Sequence, residues 1–264
     1  MPIHAHHLIL IHGAWATPGI WSRVTPLFEA EGFCVHPVSL PGDGTDDQPD
    51  QPLNLEATVQ RLTRLIHSLE GPVSLVAHSG GGVIATALAE AMAERIRGVV
   101  YIAGMMLPSG MGFAELVQSL SVKQDLAGIS PHLQWNADRS ASRVPPEAAI
   151  EIFFQDMPRD EAANAAASLV EQPESTRSMT TRWSNACFGQ IPRLYVEASE
   201  DRSVLPVLQK EMQRLVPGAR RVTLNSGHAP QLSQPHQLIQ EIASFLCGTA
   251  KPLSAPSRPV ASTP

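Results

Sequence analysis

Leu8–His12 (LILIH) is apolar at consecutive positions rather than alternate ones. A strand with one face in water alternates, whereas a continuous apolar run has to be covered on both faces. That requirement confines the chain to folds in which helices lie over both sides of a sheet. Further β-rich runs occur at Phe33–Val38, Val73–Ala77, Val99–Ala103, Leu194–Ala198 and Arg221–Leu224. Helical patterns separate them. Leu55, Val59, Leu62, Ile66 and Leu69 recur at steps of three and four, with Asn54 as N-cap and Gly71-Pro72 as stop signal. The Ala-rich stretch Gly80–Arg95, and later Leu205–Leu215 and Leu238–Leu246, also read as helices. The alternation predicts an α/β fold with a mostly parallel central sheet flanked by helices.

One region breaks the rhythm. Residues 105–190 offer no convincing strand but carry Met105, Met106, Met111, Trp135, Phe153, Phe154, Met157, Met179 and Trp183. They read as a helical cap inserted into a core made of 1–104 and 191–247. The Pro- and Ser-rich end, 248–264, predicts a disordered tail.

Composition narrows the function classes. The 264 residues are 43% hydrophobic and carry a formal charge of −6 without any Lys/Arg-rich run, so neither nucleic acid nor an anionic membrane is an expected partner. No apolar run approaches a membrane span, and Met1–His7 lacks the basic start of a signal peptide, which leaves the cytoplasm as the default. Cys34, Cys187 and Cys247 are far apart and read as free thiols. His4, His6 and His7 read as a solvated tail rather than a metal site, so no metal is expected.

The chemistry concentrates at Ala77-His78-Ser79-Gly80-Gly81, between the run VSLVA and the Ala-rich helix. A serine on so sharp a strand-to-helix turn projects its hydroxyl above the sheet, provided the residues two before and two after it are small. Ala77 and Gly81 meet that demand. The turn lacks the Lys-Ser/Thr of a phosphate loop and the GxGxxG of a dinucleotide site. The Gly80 N–H, at a helix N-terminus, is a candidate oxyanion donor. A second donor would come from the loop after the first strand, where Gly13 permits a tight turn and Ala14 supplies the N–H. Candidate acids follow LYVEA: Asp201 first, with Glu200 beside it and Glu197 within the strand. The candidate base is His228, in the loop after RVTL. Gly13, Trp15, His78 and Trp183 are candidate pocket residues.

With these motifs in order, the sequence resembles the α/β-hydrolase fold over nearly the whole chain to about residue 247. HGAW, VSLPGDG, VAHSGGG, YVEASEDRSVLP and SGHAP resemble one branch in particular. That branch holds plant methyl esterases, hydroxynitrile lyases and bacterial pyrethroid-type carboxylesterases. The resemblance implies that the acid is the Asp four residues before a Leu-Pro, here Asp201 ahead of Leu205-Pro206. It also implies a departure. The lyases of the branch carry a Thr in the first loop and a Lys after the catalytic His, where this chain has Gly13 and Ala229.

The expected function is a serine carboxylesterase that cleaves a small, largely apolar ester through an acyl-enzyme, with no cofactor. Two other readings remain open on the same scaffold: a non-hydrolytic ligand-binding protein, and a lyase or cofactor-free oxygenase. The apolar cap is also a candidate homodimer patch.

Overall fold

A computed structural model describes residues 5–45, 52–120 and 126–248. Its strands in chain order are β1 (His6–Ile11), β2 (Phe33–Pro37), β3 (Val73–His78), β4 (Ile96–Ile102), β5 (Gln134–Trp135), β6 (Ala141–Arg143), β7 (Gln172–Pro173), β8 (Arg193–Ala198) and β9 (Ala219–Leu224). The helices are α1 (Thr25–Ala30), α2 (Leu55–Ser68), α3 (Gly81–Ala91), α4 (Phe113–Leu120), α5 (Pro146–Ile152), α6 (Arg159–Ala167), α7 (Glu174–Arg177), α8 (Pro206–Leu215), α9 (Pro230–Ser233) and α10 (Pro235–Gly248). Six strands form one parallel sheet in the order β2-β1-β3-β4-β8-β9.

Both faces of that sheet are covered, as the LILIH run demands. Ile9 and Ile11 enter a core that also holds Leu62 and Ile66 of α2, Leu88 of α3 and Leu208 of α8. Leu8 and Leu10 point to the other face, against Trp21, Phe28 of α1, and Leu238 and Ile242 of α10. Each buried Leu or Ile contributes about 1.5–3 kcal/mol relative to exposure, so the central strands anchor the fold. Asn54 caps α2 through Oδ1, which accepts the Ala57 N–H at 2.9 Å.

The strand order reverses beside β1, since β2 lies on one side of it and β3 on the other. In open parallel sheets a crevice forms at such a switch point, outside the carboxyl ends of the strands. The register pairs Ile11 with Ala77 and Ala198 with Leu224, so the loops after β1, β3, β8 and β9 leave from one rim.

Two expectations need correction. The insertion between β4 and β8 is not free of strands: β5, β6 and β7 form a small antiparallel sheet. Strands of two or three residues are too short to leave a period-two pattern. His6 and His7 are not a solvated tail either. They begin β1, where His6 Nε2 lies 2.9 Å from Ser74 Oγ and His7 Nδ1 lies 3.0 Å from His36 Nε2. His4 and the tail from residue 249 lie outside the described residues.

Burial, aided by the neighbouring His7 and Arg97, pulls the His6 pKa from the usual 6.5 to about 4. Within that window the unfolded chain takes up a proton that the folded chain resists. Stability is therefore expected to fall as pH drops from about 6.5 towards 4. Urea midpoints at pH 7 and pH 5 check this, and His6→Gln is expected to make the decline shallower.

Candidate active site

Ser79 adopts φ +50° at the junction of β3 and α3. A non-glycine residue in that region costs on the order of 1–3 kcal/mol and persists only where the surroundings impose it. They impose it through contact. A Cβ built on Gly81 would meet His12 O at 2.5 Å and Ile11 O at 2.7 Å, so α3 starts directly against the end of β1. Ala77 is fully buried. The small residues flanking the turn are therefore required by packing.

On the other side of the crevice, a Cβ on Gly13 would lie 2.8 Å from Ser79 Cβ. The bare glycine lets the loop after β1 close over the serine. Neither the Ala14 N–H nor the Gly80 N–H donates to any described residue. Ala14 N lies 3.8 Å from the position a Gly80 Cβ would take, which brings the two amides to the same corner. Two unpaired donors at one point make a site for developing negative charge.

His228 and Asp201 come together as the sequence predicts. His228 Nδ1 donates to Asp201 Oδ2 at 2.8 Å, with both residues buried. A carboxylate only accepts, so Nδ1 is the donor in this bond. Asp201 Oδ1 accepts the N–H groups of Ser203 and Val204 at 2.7 and 3.0 Å, and Gln209 Nε2 donates to Oδ2 at 3.2 Å. Glu200 is exposed, and Glu197 instead accepts from Gln213 and Thr223.

Ser79, His228, Ala14, Trp15 and His78 line one narrow cavity, walled by Phe153, Phe154, Leu169 and Ala229. It has room for about one water. Beyond Ile20, Phe154 and Leu169 it adjoins a wider cleft, edged by Arg23, Glu161 and Asn164. The Ser79 hydroxyl bonds to no described residue. His78 Nε2 donates to the His228 carbonyl at 2.8 Å, and burial, then the nearby His228, hold its pKa well below the usual value.

Trp183 does not line the Ser79 cavity. Its Nε1–H donates to Leu107 O at 2.9 Å and its ring packs on Phe188, so it ties the two ends of the insertion together. Gly13 does not line the Ser79 cavity but a neighbouring one, with Ala14, Gly80 and Met179.

Sequence reading missed the residues that hold the loops. Gln172 Oε1 accepts the Trp15 N–H at 2.9 Å, and Val170 N–H donates to Trp15 O at 2.8 Å. Asp156 Oδ2 accepts the Gly227 N–H at 2.7 Å, beside His228. Gln209 carried a faint signal, a polar residue on the buried stripe of α8 between Leu208 and Met212.

Residues 8–241 match the Alpha/beta hydrolase family. The chain belongs to that family. Among curated relatives of this hydrolase, the "Pyrethroid hydrolase" of Sphingobium wenxiniae is 28% identical over 248 residues, 90% of this chain and 86% of that one. "Methylesterase 17" of Arabidopsis thaliana is 26% identical, covering 88% of each chain. The crystal structure of a pyrethroid hydrolase from Sphingobium faniae JZ-2 superposes with a TM-score of 0.82 at 26% identity, covering 92% of this chain and 98% of that one.

The tight seat of Gly81 yields a prediction. Gly81→Ala is expected to destabilise the fold by about 1–3 kcal/mol, because the obstructing atoms are backbone carbonyls. A lowered urea midpoint with unchanged slope checks it.

Proposed function

We propose that this hydrolase is a serine carboxylesterase with Ser79 as nucleophile, His228 as general base and Asp201 as its orienting acid. The observation that carries the reading is the buried Asp201–His228 pair opening onto the same cavity as the strained Ser79 and two unpaired amides. The esterase names of the relatives point to the same chemistry.

In this reading the Ser79 hydroxyl, which bonds to no described residue, turns to His228 Nε2 as substrate fills the cavity, since such bonds tighten on binding. Ser79 attacks the ester carbonyl while His228 takes its proton, and Asp201 stabilises the imidazolium. The Ala14 and Gly80 N–H groups receive the oxyanion, each donor contributing roughly 3 kcal/mol. His228 returns the proton to the departing alcohol, and water then resolves the acyl-enzyme. No step calls on a cofactor. The narrow apolar cavity suits one compact group of the ester, and the adjoining cleft suits a bulkier one. Small-molecule esters with an apolar portion are the proposed substrates.

The lyase alternative is disfavoured by Gly13, whose Cβ would lie 2.8 Å from Ser79 Cβ, too close for a hydroxyl-bearing side chain on this backbone.

Ser79→Ala is expected to lose on the order of 10⁴-fold or more in turnover of p-nitrophenyl esters and to take no fluorophosphonate label by intact mass. Near-normal turnover by a folded Ser79→Ala protein would reject the assignment. Asp201→Asn is expected to drop kcat by about 10⁴-fold, because the imidazole loses its tautomer. Glu200→Gln, at an exposed side chain without contact to His228, is expected to stay close to wild type in the same assay.

A further inference from the structure

His12 ends the run of β1, and its imidazole is buried. Its Nδ1 lies 2.9 Å from Gly13 O, and its Nε2 lies 3.1 Å from Asp43 Oδ2. Asp43 is itself fixed, with Oδ2 also accepting the Leu40 N–H at 2.7 Å and Oδ1 accepting the N–H and hydroxyl of Thr45, each at 2.8 Å. Burial raises the Asp43 pKa, but these hydrogen bonds, led by that from His12, outweigh it and leave the group below the usual carboxylate value. Asp43 is thus a carboxylate whose oxygens only accept. A carbonyl oxygen also only accepts, so Nδ1 is the donor to Gly13 O.

Gly13 O and the Ala14 N–H belong to one peptide unit. In a planar trans peptide the C=O and N–H point in opposite directions. A donor that holds Gly13 O on one side therefore fixes where the Ala14 N–H points on the other. That N–H has no described partner, and Ala14 lines the cavity of Ser79. We propose that His12, braced by Asp43, is a positioning residue that clamps the Gly13–Ala14 peptide so that the Ala14 N–H is aimed at the oxyanion. The inference rests on the esterase reading and adds to it a dyad that acts through the Gly13–Ala14 peptide. A fixed peptide needs no reorientation as charge develops, which is what makes such donors effective.

Paired substitutions at His12 separate the clamp from mere packing. In His12→Asn the amide nitrogen takes the place of Nδ1 and still reaches Gly13 O. In His12→Gln the amide reaches Asp43 instead and the Gly13 bond is lost. With p-nitrophenyl butyrate, His12→Gln is expected to lose about 100-fold in kcat with little change in KM, the size seen when an oxyanion donor is removed. Its inhibition constant for an aryl trifluoromethyl ketone, which mimics the tetrahedral oxyanion, should rise by the same factor. His12→Asn should retain most of the wild-type kcat. Equal losses in the two variants, or a folded Gln variant with unchanged kcat, would overturn the clamp. Should both variants fail to fold, the wild-type protein still decides. Its Ala14 amide proton must move downfield when the ketone binds, and an unmoved signal rejects the proposal. Absence of fluorophosphonate labelling at wild-type Ser79 is a separate result, one that removes the esterase reading itself.

Discussion

The contact between the first turn of α3 and the end of β1 is the constraint from which the rest of the site follows. Gly81 touches the Ile11 and His12 carbonyls closely enough that no side chain fits. The helix can begin there only if the chain turns within one residue, and Ser79 accepts a left-handed conformation to do so. The cost is on the order of 1–3 kcal/mol, small against the apolar burial of the parallel strands on either side. The turn leaves a hydroxyl above the sheet and an unpaired helix N–H beside it. The reversal of strand order at β1 brings the loop after that strand to the same place. The crevice is thus a product of topology and of two bare glycines, before any catalytic side chain is considered.

The insertion between β4 and β8 contributes more than a lid. Gln172 and Val170 hold the Trp15 backbone from both sides, and Asp156 holds the amide next to His228. Gln155 donates to Glu200 O, next to Asp201. Three loops that project from the sheet rim are therefore tied down by one inserted segment. Loops that carry reacting groups are otherwise the most mobile parts of such a fold. Phe153 and Phe154, which wall the cavity, belong to the same cluster as Trp15 and Ala229, so the apolar packing of the insertion and the polar ties to the loops act together.

Much of this was legible from the chain. The LILIH run demanded two covered faces, and the structure covers both. The small residues around Ser79 could be read as packing requirements because strand and helix have no other way to meet. The family resemblance favoured Asp201 over Glu200 through its place before Leu205-Pro206, and the hydrogen bond to His228 falls on Asp201. What was not legible depended on distant partners. β5, β6 and β7 exist only because they pair with one another. His6 and His7 look polar and terminal, yet pairing of β1 with Phe33 and Val73 draws them into the sheet. Trp183 offers an indole, and nothing in its neighbours along the chain distinguishes a pocket wall from a strut bonded to Leu107.

Three imidazoles gather near Ser79, and their hydrogen bonds give them different capacities. His12 spends both nitrogens on Gly13 O and Asp43. His78 donates to the His228 carbonyl and is kept neutral by burial, with His228 and His12 adding to the effect. Of the three, His228 combines a carboxylate at Nδ1 with a place in the lining of the Ser79 cavity. If His78 also charged, its ring, centred 4.7 Å from that of His228, would oppose the imidazolium that the proposed reaction forms. Desolvation opposes this, so the stabilisation proposed for Asp201 is not cancelled by a like charge next door. The burial of His78 thus suits the proposed role of His228 in two ways: its donated hydrogen bond fixes the His228 backbone, and its neutrality adds no like charge beside that ring.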